Sequence, residues 1–151
     1  MKTLLIISLS VILLSTTLFI GCEDKLPLNI NLANRTYIFF NQDSMQVKFP
    51  EVTKGQVTVV GFIYANCPDI CPMTTHNMSL TEQRLREENI NDVKFVSITF
   101  DPNRDYPSVL KKYGEIRGFD FNTWTFLWNE KEKTKPLLER LDVIAIPTDS
   151  T

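Results

Sequence analysis

Cys67 and Cys71 bound the string Cys67-Pro68-Asp69-Ile70-Cys71, which Pro72 follows. Two thiols at this spacing can do two kinds of chemistry. As thiolates they form a soft, electron-rich pair suited to a soft monovalent ion, chiefly Cu(I). As a redox couple they close a disulfide if their Cα atoms come within roughly 4.4–6.8 Å, and they can then exchange electrons with a partner's cysteines. Pro68 keeps Cys67 out of the helical region, and Pro72 suits the first turn of a helix. Four residues of turn bring both sulfurs to one side, near the positive end of the helix dipole, which favours thiolate over thiol. The alternative is a structural disulfide. Against it stand two prolines and an Asp packed into a short loop, and the greater gain a staple makes by closing a long one. Zinc is disfavoured because four protein ligands are not at hand around the pair.

The sole histidine, His76, lies five residues after Cys71. On a helix this is about 140° round the axis, so His76 should point away from the thiols. Met78 shares the face of Cys71 but sits about 10 Å further along, too far to ligate. Met73 and Met78 are therefore assigned to the core.

These residues need elements to hold them. Thr36–Phe40, the polar turn Asn41–Ser44 and Gln46–Phe49 predict a hairpin. Val57–Tyr64 is a nearly continuous apolar run, as in a central strand buried on both faces. A helix is predicted from about Pro72 to Asn89, its apolar face built from Met73/Leu80 and Met78/Leu85. Val93–Phe100 predicts a second central strand and Pro107–Tyr113 a helix, with Asp105 as its N-cap. Trp124–Trp128 is a short aromatic strand, Glu130–Lys135 a solvated turn leading to a helix at Lys135–Leu141, and Val143–Ile146 the start of another strand. A strand–helix–strand crossover makes the two central strands parallel neighbours. Their following loops, Ala65–Cys71 and Asp101–Asp105, then open at one carboxyl edge of the sheet, where ligands gather in α/β folds.

The 151 residues are 43% hydrophobic and 23% charged, which excludes disordered, collagenous and coiled-coil classes and makes one domain the default. A net charge of −2 lacks the basic excess of a nucleic-acid binder. One His excludes His-only and two-His zinc sites. Three Cys are too few for a disulfide scaffold.

Residues 1–21 read as a signal: Lys2, then an apolar stretch from Leu4 to Ile20. Its end, Leu18-Phe19-Ile20-Gly21-Cys22, resembles a bacterial lipoprotein cleavage box, with lipid attached to the Cys22 sulfur. A retained membrane anchor is the alternative, since the stretch nearly spans a bilayer at about 1.5 Å per residue. Either places the rest of the chain outside the cytoplasm. Residues 22–34 read as a tether to the membrane and 35–151 as the domain.

CPDICP after a hydrophobic strand, then VSITFDPNRDYP, then WTFLW, resembles the Sco/SenC family of copper proteins over roughly residues 33–146. The resemblance implies an α/β, thioredoxin-like fold on the outer face of the cytoplasmic membrane. It implies copper held by Cys67, Cys71 and a distal His. It also implies a role in building the binuclear copper centre of cytochrome c oxidase subunit II, by delivering copper, reducing its cysteines, or both. Asp101 matches a recurrent family position, either as a carboxylate partner beside the thiols or as a turn residue. The family's third ligand, the His, lies in a hairpin downstream of Thr151, so the sequence reads as an incomplete copy lacking the final hairpin and helix. A membrane-tethered thiol–disulfide oxidoreductase without stable copper is the second functional reading. Tyr64, where a peroxiredoxin-type peroxidase carries Thr, disfavours that class.

Overall fold

A computed structural model describes residues 30–66 and 70–144, with the side chains of 70–72 excepted. The predicted signal with Cys22, most of the tether, Cys67 and the chain from 145 onward lie outside the described residues. Strand β1 (Tyr37–Asn41) and β2 (Gln46–Phe49) form the expected antiparallel hairpin, with Tyr37 opposite Phe49. Asn41 closes its turn by accepting the N–H groups of Asp43 and Met45 on Oδ1, the local competition with backbone that suits Asn to turns.

Strands β3 (Val57–Ile63) and β4 (Val93–Thr99) run parallel, in register from Val57 opposite Val93 to Ile63 opposite Thr99. Helix α1 (Ile70–Glu87) joins them. After helix α2 (Pro107–Ile116), strand β5 (Trp124–Trp128) lies parallel on the other side of β4 and antiparallel to β1. Helix α3 (Lys131–Arg140) follows, and the sheet order is β2-β1-β5-β4-β3.

Side-chain alternation along β4 and β5 divides the core between the two faces of the sheet. Phe95, Trp124 and Phe126 pack with Met78 of α1 and with Leu110 and Tyr113 of α2. Val96, Ile98 and Leu127 pack with Tyr37, Phe39, Phe49 and Leu137 of α3. The result is an α/β/α sandwich. Among the described residues no helix is long and apolar enough to cross a membrane.

Three expectations change. The apolar run of β3 does not lie centrally: β3 is the outermost strand of the described sheet, and Val57 and Val60 are exposed. An apolar run reports a strand that seeks cover, but not its rank in the sheet. Helix α3 begins at Lys131 and carries Pro136 inside it. Its charged first turn is exposed, while Thr134, Leu137 and Leu138 are buried, so the apolar stripe starts later than the helix does. Val143 and Ile144 belong to no strand.

The packed stripe of α1 also differs from the predicted one. Met73 and Leu80 are exposed, and the inward positions are Thr75, Met78, Glu82 and Leu85. Met73 and Met78 are five residues apart and so lie about 140° apart round the axis, which prevents both from facing the sheet. Polar residues take the remaining inward places because each finds a partner. Thr75 Oγ1 and Tyr113 Oη share a hydrogen bond of 2.9 Å. Glu82 accepts the Trp124 indole N–H at 2.8 Å and the Thr123 hydroxyl at 2.7 Å. Gly61 on β3 lets the helix close in, since a Cβ there would stand 2.6 Å from the Met78 sulfur.

Glu82→Ala strands the N–H of fully buried Trp124, so it should lower stability in denaturant titrations by about 2–3 kcal/mol. Glu82→Gln, which keeps an acceptor, should lose less. Coincident midpoints for the Ala variant and the parent chain would remove this account of how α1 is fixed.

Candidate functional site

The sheet ends its β3–β4 pairing at the carboxyl edge, where the two loops predicted to carry the chemistry leave it. Cys71 is the second residue of α1, in the first turn, as the helix-dipole argument requires. Cys67 falls in the segment outside the described residues, just after Asn66. His76 is exposed. Among the described residues no group of three or more His, Cys, Asp and Glu side chains could hold a metal ion.

Backbone bonds show how the edge is built. Phe100 N–H donates to the Ile63 carbonyl at 3.0 Å, one rung beyond the strand ends. In a parallel ladder the next rung would run from Ala65 N–H to the Phe100 carbonyl. The chain instead turns at Asp101, whose carbonyl accepts the N–H groups of Arg104 and Asp105. The missing rung is supplied by a side chain: Ala65 N–H donates to Asp105 Oδ2 at 2.8 Å. The same oxygen accepts the Thr99 hydroxyl at 2.6 Å, and the Tyr64 and Phe100 rings meet edge to face at 5.4 Å.

Asp105 is therefore not the cap of α2. Tyr106 occupies the N-cap position, without a side-chain cap bond, and Pro107 follows at the first helical position. The preference of proline for that first position was the available signal, because it assigns the cap to the residue just before it. Asp101 is a turn residue whose carboxylate lies 3.4 Å from Arg104 Nε, and its N–H donates to Thr99 Oγ1. Of the two carboxylates in the loop, Asp105 is the one that reaches the β3 side.

Asp105 is fully buried, and Oδ1 has no hydrogen-bond partner among the described residues. Burial pushes its pKa above the ordinary carboxylate value, opposed by the bonds from Thr99 and Ala65. Beside it a groove of about 640 Å³ opens against Asn66, with Arg104, Lys112 and Arg117 along its wall. Arg117 is held over the Tyr113 ring at 3.7 Å. This edge thus combines a cysteine in a helical first turn with a loop tied down from beneath.

Comparison with known proteins decides the family. The SCO1/SenC family model matches residues 29–134, which include both motif cysteines and every strand among the described residues. The chain belongs to the SCO1/SenC family. The SCO1 protein homolog of Bacillus subtilis is 38% identical over 107 residues, covering 71% of this chain and 53% of that protein. The solved structure of BsSco, described as a member of the Sco family of cytochrome c oxidase assembly proteins with a disulfide switch, is 32% identical. It superposes with a TM-score of 0.68 over 81% of this chain and 69% of that one. ScoI of Bradyrhizobium japonicum, solved with copper bound, gives 0.65 at 25% identity over 77% of this chain and 72% of that one. The chain spans about half the length of the curated relatives it matches. The sheet and its flanking helices are the thioredoxin-like fold of these Sco structures.

The raised pKa of Asp105 has a stability consequence with a definite sign. The folded state holds the Asp105 proton more tightly than the unfolded chain. This contribution is complete below the ordinary carboxylate range and is lost as pH rises through the raised value. Asp105→Asn lacks that loss. In denaturant titrations from about pH 3 to pH 8, the variant's stability relative to the parent chain should therefore increase with pH. Parallel profiles would show that burial of the carboxylate costs the fold nothing.

Proposed function

We propose that this SCO1/SenC chain is a copper-binding assembly factor, in which Cys67 and Cys71 hold Cu(I) as cargo. The acceptor is the binuclear copper site of cytochrome c oxidase subunit II, which the chain loads with copper or whose cysteines it reduces. The observation that carries this reading is Cys71 in the first turn of an 18-residue helix at the carboxyl edge, within a family match that spans both thiols. Copper bound to ScoI and the oxidase-assembly role given for BsSco's family support it. Paired thiolates are a fitting donor set for the cuprous ion, and the helix N-terminus favours the charged form. Release then follows by exchange, each thiolate giving way to a thiolate of the acceptor.

The disulfide switch described for BsSco favours a second reading, in which the same pair cycles as a thiol–disulfide oxidoreductase. One thiolate attacks a sulfur of the acceptor's disulfide, forming a mixed disulfide. The other then displaces the acceptor's thiol and leaves Cys67–Cys71 oxidised. Both readings place the domain outside the cytoplasm, tethered through lipid on Cys22 and residues 22–34.

Titration of the reduced chain with Cu(I) under a competing chelator tests the first reading. One-to-one binding should be lost in Cys67→Ser and in Cys71→Ser and kept in His76→Ala. A readily reversible dithiol couple that retains no copper would transfer the case to the second reading.

The anchor is tested separately. In a bacterial host supplied with a clickable fatty acid, the parent chain should be labelled and shortened by about 21 residues. Cys22→Ser should remain unlabelled and full-length. Labelling that survives the substitution would overturn the lipoprotein assignment.

A further inference from the structure

Among the described residues, the start of the loop that bears the first thiol is held at Ala65 by a side chain remote in sequence. We propose that Asp105 is a positioning residue for the thiol pair: its carboxylate completes the β3–β4 ladder at Ala65 and so fixes where the Cys67 loop departs from the sheet. The proposal rests on the dithiol reading of the site.

Three observations carry it. First, the bond joins residues 40 apart, from Ala65 N–H to Asp105 Oδ2 at 2.8 Å, and replaces a backbone rung the ladder has lost. Second, Asp105 is itself held rigidly. The Thr99 hydroxyl donates to the same oxygen at 2.6 Å, and the Asp105 N–H donates to the Asp101 carbonyl at 3.0 Å. Third, the residue is fully buried with Oδ1 lacking a partner among the described residues. A polar group kept in such a place is costly unless its bonds are needed, and the bonds it makes here are those to Ala65 and Thr99. Cys67 follows Ala65 by two residues, so its Cα is within about 7 Å of the anchored one. A displacement of the rung therefore passes to the sulfur with little chain to absorb it.

The geometric consequence falls on the distance between the two thiols. Cys71 is set by α1, which Glu82, Thr75 and the Gly61 contact hold against the sheet and α2. Cys67 follows the end of β3 by four residues in the sequence. Asp105 ties that end to β4, so the separation of the sulfurs depends on it, and both metal grip and disulfide closure depend on that separation.

The test compares Asp105→Ala and Asp105→Asn with the parent full chain, using Leu137→Val, in the core on the other face of the sheet, as a control that weakens the fold elsewhere. Hydrogen exchange at the Ala65 amide reports the rung directly. Equilibration with a glutathione buffer reports the dithiol couple, and Cu(I) competition reports the metal grip. Asp105→Ala should lose protection at Ala65 while the β4 amides keep theirs. Its Cu(I) affinity should fall about 10- to 100-fold, the range found when partners of metal ligands are removed, and its dithiol equilibrium should move as well. Asp105→Asn retains an acceptor and should restore protection and most of the affinity, whereas Leu137→Val should leave both thiol readouts near the parent values. Unchanged thiol readouts in folded Asp105→Ala would overturn the proposal, and so would an Asp105→Asn variant impaired as much as Asp105→Ala. If Asp105→Ala does not fold, Thr99→Val takes its place. A smaller shift in the same direction supports the role, and none overturns it. If the parent chain binds no Cu(I), the copper reading fails. The rung is then judged on the dithiol equilibrium and Ala65 exchange alone.

Discussion

Parallel pairing of β3 with β4 is the constraint from which the rest of the molecule follows. A loop can open for chemistry only where that ladder stops, yet every amide released by stopping must find another acceptor if it stays buried. The backbone provides one extra rung, from Phe100 to Ile63. The next is made by Asp105, brought back by the tight turn that begins at Asp101. Two loops thus share one edge without leaving the Ala65 amide unpaired beneath them. The fold gives up regular pairing there and recovers the lost bond through a side chain that must tolerate burial.

Helix α1 meets a related demand. It must lie close enough to the sheet for its first turn to reach the thiol loop, and its inward stripe is half polar. Apolar packing alone would leave it free to roll, since Met78 and Leu85 present a narrow ridge. Thr75 and Glu82 remove that freedom by bonding to Tyr113 on α2 and to Thr123 and Trp124 at the start of β5. Directional bonds fix rotation where dispersion fixes only distance.

Much of this was legible from the residues. The hairpin, the two parallel strands, the aromatic strand at Trp124–Trp128 and the shared carboxyl edge all follow from period and turn chemistry, and the thiol spacing pointed to the right helix terminus. Three features were not legible, for a common reason. The rank of β3 in the sheet, the polar stripe of α1 and the rung made by Asp105 each depend on a partner distant in sequence. Glu82 looks like any exposed helix acid until Trp124 arrives 42 residues later. Asp105 looks like a cap because Asp often is one, and only Pro107 hints that the cap is one residue further on. Local pattern can state that a polar residue is tolerated, but long-range contact decides what it does.

The two indoles divide the molecule between them. Trp124 is wholly enclosed, stacked between Phe119 and Phe95 with its N–H on Glu82. Trp128, four residues on, leans on Tyr106 and gives its N–H to the Pro102 carbonyl, inside the loop that also carries Asp105. Their emission therefore divides into a buried signal that senses whether the domain is folded and a rim signal that senses how that loop is seated. The protein carries its own optical gauge of the thiol edge.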